Sequence, residues 1–130
     1  IRYFKDDVYE IARTRMETLC KGLAEAYGVE IKLDARNVFD VLNNDSELSD
    51  AYLEAAADIV GAENVSSEAA PATGSEDFAD MLKIVPGSYC RLGHTGTIGL
   101  HNPSFVLGQE ILPVGASIMA RIVERRLPLN

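Results

Sequence analysis

The sequence predicts a mixed fold in two pieces, the end of an α+β layer over residues 1–42 and part of an α/β unit over residues 43–130. Three observations lead there. Apolar residues recur every three or four positions from Asp6 to Tyr27, they alternate from Val29 to Arg36, and the composition changes across Asn43-Asn44-Asp45-Ser46.

Each element follows from local pattern. Ile1-Arg2-Tyr3-Phe4 reads as a strand entered midway, so the chain is expected to continue upstream. Val8, Ile11, Ala12, Leu19, Cys20, Leu23 and Tyr27 share one helical face; Asp6 and Asp7 suit its positive N-terminal end and Gly28 its stop. Val29, Ile31, Leu33 and Ala35 then alternate with Glu30, Lys32, Asp34 and Arg36, the pattern of a strand with one wet face. After the capping cluster at 43–46, Leu48, Tyr52, Ala55, Ala56 and Ile59 mark a second amphipathic helix ending at Gly61. Residues 64–70 suit a short strand. Thr73-Gly74-Ser75-Glu76 has the form of a capping box opening a helix to about Ile84. Pro86-Gly87 is a turn, and Ser88 to Leu92 reads as a short buried strand. A loop from Gly93 to Phe105 holds both histidines. The last helix admits Pro113 in its first turn and buries Ile111, Leu112, Ile118, Met119, Ile122 and Val123.

Composition narrows the function. With 47% apolar and 25% charged residues the chain has the make-up of a soluble globular protein, and no apolar stretch approaches the roughly 20 residues of a membrane span. A net charge of −8 excludes nucleic acid and anionic membranes as partners, because phosphates are bound by clustered Lys and Arg. Arg121, Arg125 and Arg126 form the basic cluster, and at a helix end they complement the dipole. Cys20 and Cys90 form no C-x-x-C pair and are expected as buried thiols of a reduced, cytoplasmic protein.

Leu100-His101-Asn102-Pro103 is the sharpest local feature. An imidazole on a glycine-rich loop, beside a backbone fixed by proline, can present a ring nitrogen to a metal; a capping or surface histidine is the plainer alternative. His94 lacks the proline and reads as a bystander. Glu76 and Asp77 put two carboxylates at a helix start, where the dipole alone favours acids and a general base or metal ligand is the functional alternative. No nucleophile elbow, phosphate loop or dinucleotide fingerprint occurs.

Taken in order, Gly74-Ser75-Glu76-Asp77-Phe78, Pro86-Gly87-Ser88-Tyr89, Leu92-Gly93, Leu100-His101-Asn102-Pro103 and Leu112-Pro113-Val114-Gly115 resemble the C-terminal signature of the metallopeptidase-like amidohydrolases. That family includes N-acyl-amino-acid, hippurate and indole-acetyl-amino-acid hydrolases. The opening, with Arg2 and Phe4 before a long helix, resembles the family's lid. The resemblance implies an α/β metallohydrolase catalytic domain interrupted by a ferredoxin-like α+β lid through which subunits pair as homodimers. It implies that residues 1–42 end the lid and residues 43–130 are the last portion of the catalytic domain. It implies two divalent metals per active site, zinc, manganese or cobalt, with His101 as one ligand. Gly74, Ser75, Glu76, Asp77 and Asn102 would lie near the substrate, with no catalytic role assigned. The sequence departs from the family at Gln109, where an acidic residue usually precedes Glu110.

The family's other ligands, a Cys-Gly-His-Asp-x-His type motif, a Glu-Glu pair and a further histidine, lie upstream of the lid and are not in this sequence. The expectation is therefore split: a parent enzyme that hydrolyses N-acyl amino acids or small peptide-like substrates, and a chain that is inactive alone. The alternative is a non-catalytic α+β interaction or dimerisation module. The ligand reading expects the His101 ring at a surface, unpaired; a ring buried and bonded at both nitrogens would undercut it. Apolar strand faces or edges are expected to be exposed or covered by another chain.

Overall fold

The long apolar period from Asp6 becomes helix α1, Asp6–Tyr27. It stops where expected: Gly28 turns left-handed at φ 65°, and the Ala24 carbonyl accepts the N–H of both Gly28 and Val29. Arg13 ties down the wet face through Glu10 at 2.9 Å and Glu17 at 2.8 Å. The apolar face meets nothing that buries it. None of its residues is buried, and Ile11, Leu19 and Tyr27 are 60%, 65% and 75% exposed.

The structure, a computed structural model, describes residues 1–127. After α1 come α2 (Ser46–Val60), a 3₁₀ turn (Ala62–Asn64), α3 (Phe78–Leu82) and α4 (Ile111–Arg126). They gather into two compact units. One holds Ile1–Asn43 with Pro71–Val85; the other holds Asn44–Ala70 with the described residues from Pro86 onward.

The first unit buries Ala79 of α3, 3% exposed, and stacks Tyr3 near Tyr9, and its longer-range ties are polar. Arg2 donates to Ser75 Oγ, Tyr3 Oη donates to Asn37 Oδ1 at 2.8 Å, and Lys83 pairs with Asp40 and, at 3.0 Å, with Asp80. Cys20, Ala24, Val29, Ile31 and Leu33 line an open, largely apolar groove along the end of α1.

In the second unit, Asp45 caps α2 by accepting the Leu48 N–H at 2.9 Å, and Gly61, at φ 84°, ends it. The α2 helix packs on α4, and the buried side chains are Ala55 and Ala56 of α2 and Ile118 of α4. Small residues on α2 let the α4 face approach closely. Arg125 reaches across to Glu54 at 2.7 Å and Asp58 at 3.0 Å, and Arg121 lies 3.8 Å from Asp58. Arg121 and Arg125 of the basic cluster thus face α2 as well as complementing the dipole.

Four sequence expectations need correction. No β-strand forms among the described residues, so residues 1–4, 29–36, 64–70 and 88–92 are not strands as expected. Alternation marks a chain able to join a sheet, but a strand exists only when a neighbour completes its ladder, and these segments do not pair with one another. The capping box at Thr73–Glu76 does not open a helix to Ile84. The helix runs only from Phe78 to Leu82, so Thr73 lies several residues before its start, and the N-cap residue Asp77 gives it no side-chain cap. The α4 stripe is narrower than expected, since Leu112, Met119 and Val123 are 57%, 58% and 56% exposed and Ile118 is the buried one. The thiols are not buried: Cys20 is half-buried and Cys90 exposed, both free.

Candidate functional site

The loop that carries His101 is built from short backbone devices. Asn102 accepts the Phe105 N–H through its carbonyl at 2.9 Å and the Ser104 N–H through Oδ1 at 2.9 Å, with Pro103 between them. This is an Asx turn folded over a β-turn. His101, just before it, stands at φ 67°, and among the described residues no other non-glycine has positive φ. A left-handed backbone costs an L-residue about 1–2 kcal/mol and collects at functional positions. The His101 ring is exposed and forms no hydrogen bond to a described residue, so its nitrogens are available.

His94, read from sequence as a bystander, props the same loop. Its Nδ1 accepts the Gly96 N–H at 3.0 Å, and its ring meets Phe105 edge-on, centroids 5.4 Å apart at 90°. A Cβ on Gly96 would fall 2.3 Å from the His94 ring, so that closeness needs glycine. At the loop's far end Thr95 Oγ1 donates to Glu110 Oε1 at 2.7 Å. That hydrogen bond holds the Glu110 carboxyl below its ordinary range. Neither prop announces itself in the sequence, because each joins residues without a shared motif.

The Pro86 to Tyr89 segment is clipped to the start of α2. The Asn44 amide donates to the Tyr89 carbonyl at 2.8 Å and accepts the Tyr89 N–H at 2.9 Å, as a neighbouring strand would. Asp45 N–H bonds the Gly87 carbonyl at 3.0 Å, and the Ser49 and Ser88 hydroxyls meet at 3.0 Å. A side chain here takes the place of a ladder. Beyond it, burial and a hydrogen bond to Cys90 push the Tyr52 hydroxyl up to about 12.

His101 and Asn102 belong to the second unit, whereas Gly74, Ser75, Glu76 and Asp77 belong to the first. Gly74 has open space where a Cβ would point, and Ser75 is engaged by Arg2. The Glu76 side chain hydrogen-bonds Asp77, and that bond, with the repulsion of two like charges, raises the Asp77 carboxyl above its ordinary range. Asp77 makes no side-chain cap to α3.

As a test of metal binding, the arrangement gives a partial fit. An exposed imidazole on a fixed backbone suits one corner of a divalent-metal site. Among the described residues no three His, Cys, Asp or Glu gather to hold an ion by themselves.

Comparison with known proteins places these features in context. The profile of peptidase family M20/M25/M40 matches residues 6–125. A hippurate hydrolase of Campylobacter jejuni is 28% identical over 127 residues, 98% of this chain and 33% of that protein. An N-acetylcysteine deacetylase of Bacillus subtilis is 30% identical over 94% of this chain and 31% of its own length. An IAA-amino acid hydrolase of Arabidopsis thaliana is 34% identical over 65% of this chain and 20% of its own length. The chain spans about a third of the length of the first two of these relatives. No solved structure matches it.

Proposed function

We propose, from the premise that this chain belongs to peptidase family M20/M25/M40, that it is the part of a divalent-metal amidohydrolase that contributes His101 as a metal ligand. The substrates are N-acyl amino acids or small peptide-like amides, which water splits into a carboxylate and a free amine. The similarity to a hippurate hydrolase and an N-acetylcysteine deacetylase supports that substrate class. The observation that carries the ligand reading is the His101 backbone at φ 67°, with an exposed ring unclaimed by any described residue.

Zinc, manganese and cobalt all accept an imidazole nitrogen, and the reading takes two such ions per active site. A divalent ion held in part by His101 would supply Lewis acidity toward the amide. The residues of this chain hold and orient: His101 offers a ring nitrogen, and the turn at Asn102 to Phe105 fixes its direction. Gly74, Ser75, Glu76 and Asp77 are near-site residues, and Glu76 raises the Asp77 carboxyl above its ordinary range. Residues 1–42 are the end of an α+β lid and residues 43–130 the end of an α/β catalytic domain, whose sheets need pairing that the described residues do not supply among themselves.

In the full-length enzyme, His101→Ala should cost one bound ion per active site by elemental analysis, and turnover of N-acyl amino acids should fall to background. Full metal content with full turnover in that variant sinks the ligand assignment. With one ligand the chain alone is inactive in this reading, since such metals require several. Turnover by the purified chain with added zinc or manganese would overturn that half.

A second reading, an α+β dimerisation module, is favoured by the unburied apolar face of α1. It also accommodates a homodimer of the parent enzyme. Sedimentation of the chain decides it: a species that stays monomeric as concentration rises removes the pairing role.

A further inference from the structure

We infer that Asn102 is a positioning residue that acts through Oδ1 on its own loop, holding His101 in the left-handed backbone from which its ring is presented. The inference rests on the ligand reading of His101 and goes beyond it, because it assigns Asn102 to the loop instead of to the substrate.

At φ 67° the His101 backbone lies in a well about 1–2 kcal/mol above its ordinary ones, so something adjacent must compensate. The neighbouring constraints all converge on the turn that follows. The Asn102 carbonyl holds the Phe105 N–H at 2.9 Å, and Oδ1 holds the Ser104 N–H at 2.9 Å. Pro103 has its φ locked by the ring, so the turn loses little chain entropy on forming. Phe105 is then pinned from the far side by the His94 ring at 5.4 Å.

Of these constraints, Oδ1 is the only one supplied by the side chain of Asn102. Without it the Ser104 N–H loses its partner and the turn keeps a single backbone bond. Relaxation of His101 to negative φ would then swing its Cβ, and the imidazole with it, away from the site. Oδ1 keeps a second lone pair, so the role that separates substrate contact from turn closure is that of the amide nitrogen, which the turn does not use.

The two roles separate by substitution. Asn102→Asp keeps a side-chain oxygen for the Ser104 N–H and discards the amide nitrogen. Asn102→Ala discards both. Asn102→Gln keeps the amide but is too long to close the turn, which serves if Asn102→Ala fails to fold. The experiment titrates the metal-free full-length protein with Co²⁺ and follows the visible absorption of the bound ion, beside circular dichroism as a folding control.

Loss of an orienting partner weakens a metal site by about 10–100-fold. That loss, with an altered cobalt spectrum, is expected for Asn102→Ala and Asn102→Gln, while Asn102→Asp binds Co²⁺ at least as well as the parent. Equal weakening by Ala and Asp assigns the amide nitrogen the role and overturns the inference. So does unchanged binding in all three. His101→Ala separates the underlying reading: if that variant binds as the parent does, the ligand assignment has failed. If it loses an ion while Asn102→Ala does not, only the positioning role has failed.

Discussion

Replacing His101 by glycine should make the metal-free chain more stable, although it removes the residue on which the proposed function rests. His101 is held at φ 67°, which costs an L-residue about 1–2 kcal/mol and costs glycine almost nothing. Glycine returns about 0.4–1 kcal/mol of that gain through the greater freedom of its unfolded chain. The exposed ring takes no packing with it when it goes. The net expectation for His101→Gly is a stabilisation of roughly 0.5–1 kcal/mol. His101→Ala keeps the left-handed cost and should stay near the parent. Urea denaturation without metal measures both, and with a slope of about 1–3 kcal/mol per molar the two midpoints should differ by about half a molar. If His101→Ala is as stable as His101→Gly, the backbone of His101 carries no strain and the presentation argument falls with it.

Three further outcomes test the rest. Asn44→Ala removes both bonds to Tyr89; at about 1 kcal/mol each, the Tyr89 amide should exchange with solvent about 30-fold faster, and unchanged exchange would show the clip to be idle. Ile118→Ala should cost about 2–4 kcal/mol, against less than about 0.5 kcal/mol for a conservative change at exposed Val123. Equal costs would mean that the α2–α4 contact lacks the core described. For Tyr52, burial first and then the Cys90 hydrogen bond raise the folded value from 10.0 to about 12, so the folded state binds more protons in that window. Its contribution is therefore present below pH 10 and lost as pH rises toward 12. Tyr52→Phe should flatten that part of the urea-midpoint profile, and an unaltered slope contradicts the assignment.

The first two helices were legible because their information is local. A spacing of three and four, Gly28 and Gly61 as stops, and Asp45 as a cap define α1 and α2 within a few residues of the positions that carry them. Strands are different in kind. Alternation at Val29 to Arg36 states which face would be wet, but the hydrogen bonds that make a strand belong to another segment, and none of the described residues supplies them. Tyr89 shows the same dependence in miniature, its ladder replaced by one asparagine side chain.

The α4 stripe misled for a related reason: periodicity marks apolar positions, while the width of the buried strip depends on the partner, and α2 reaches only far enough to bury Ile118. At the candidate site, glycines and Pro103 pointed to His101. The sign of its φ, the support from His94 and the tie from Thr95 to Glu110 arise only once the loop closes on itself.

The bare face of α1 gives the chain two ways of melting. The α2–α4 pair shares a contact and so tends to lose its structure in one cooperative step. A helix of 22 residues with nothing buried is past the about 12–15 residues at which isolated helices become marginal, but it answers to helix–coil statistics. It would fray from both ends as temperature rises and respond to salt through the Arg13 pairs. A circular-dichroism scan of this chain should therefore be a slope with a step in it.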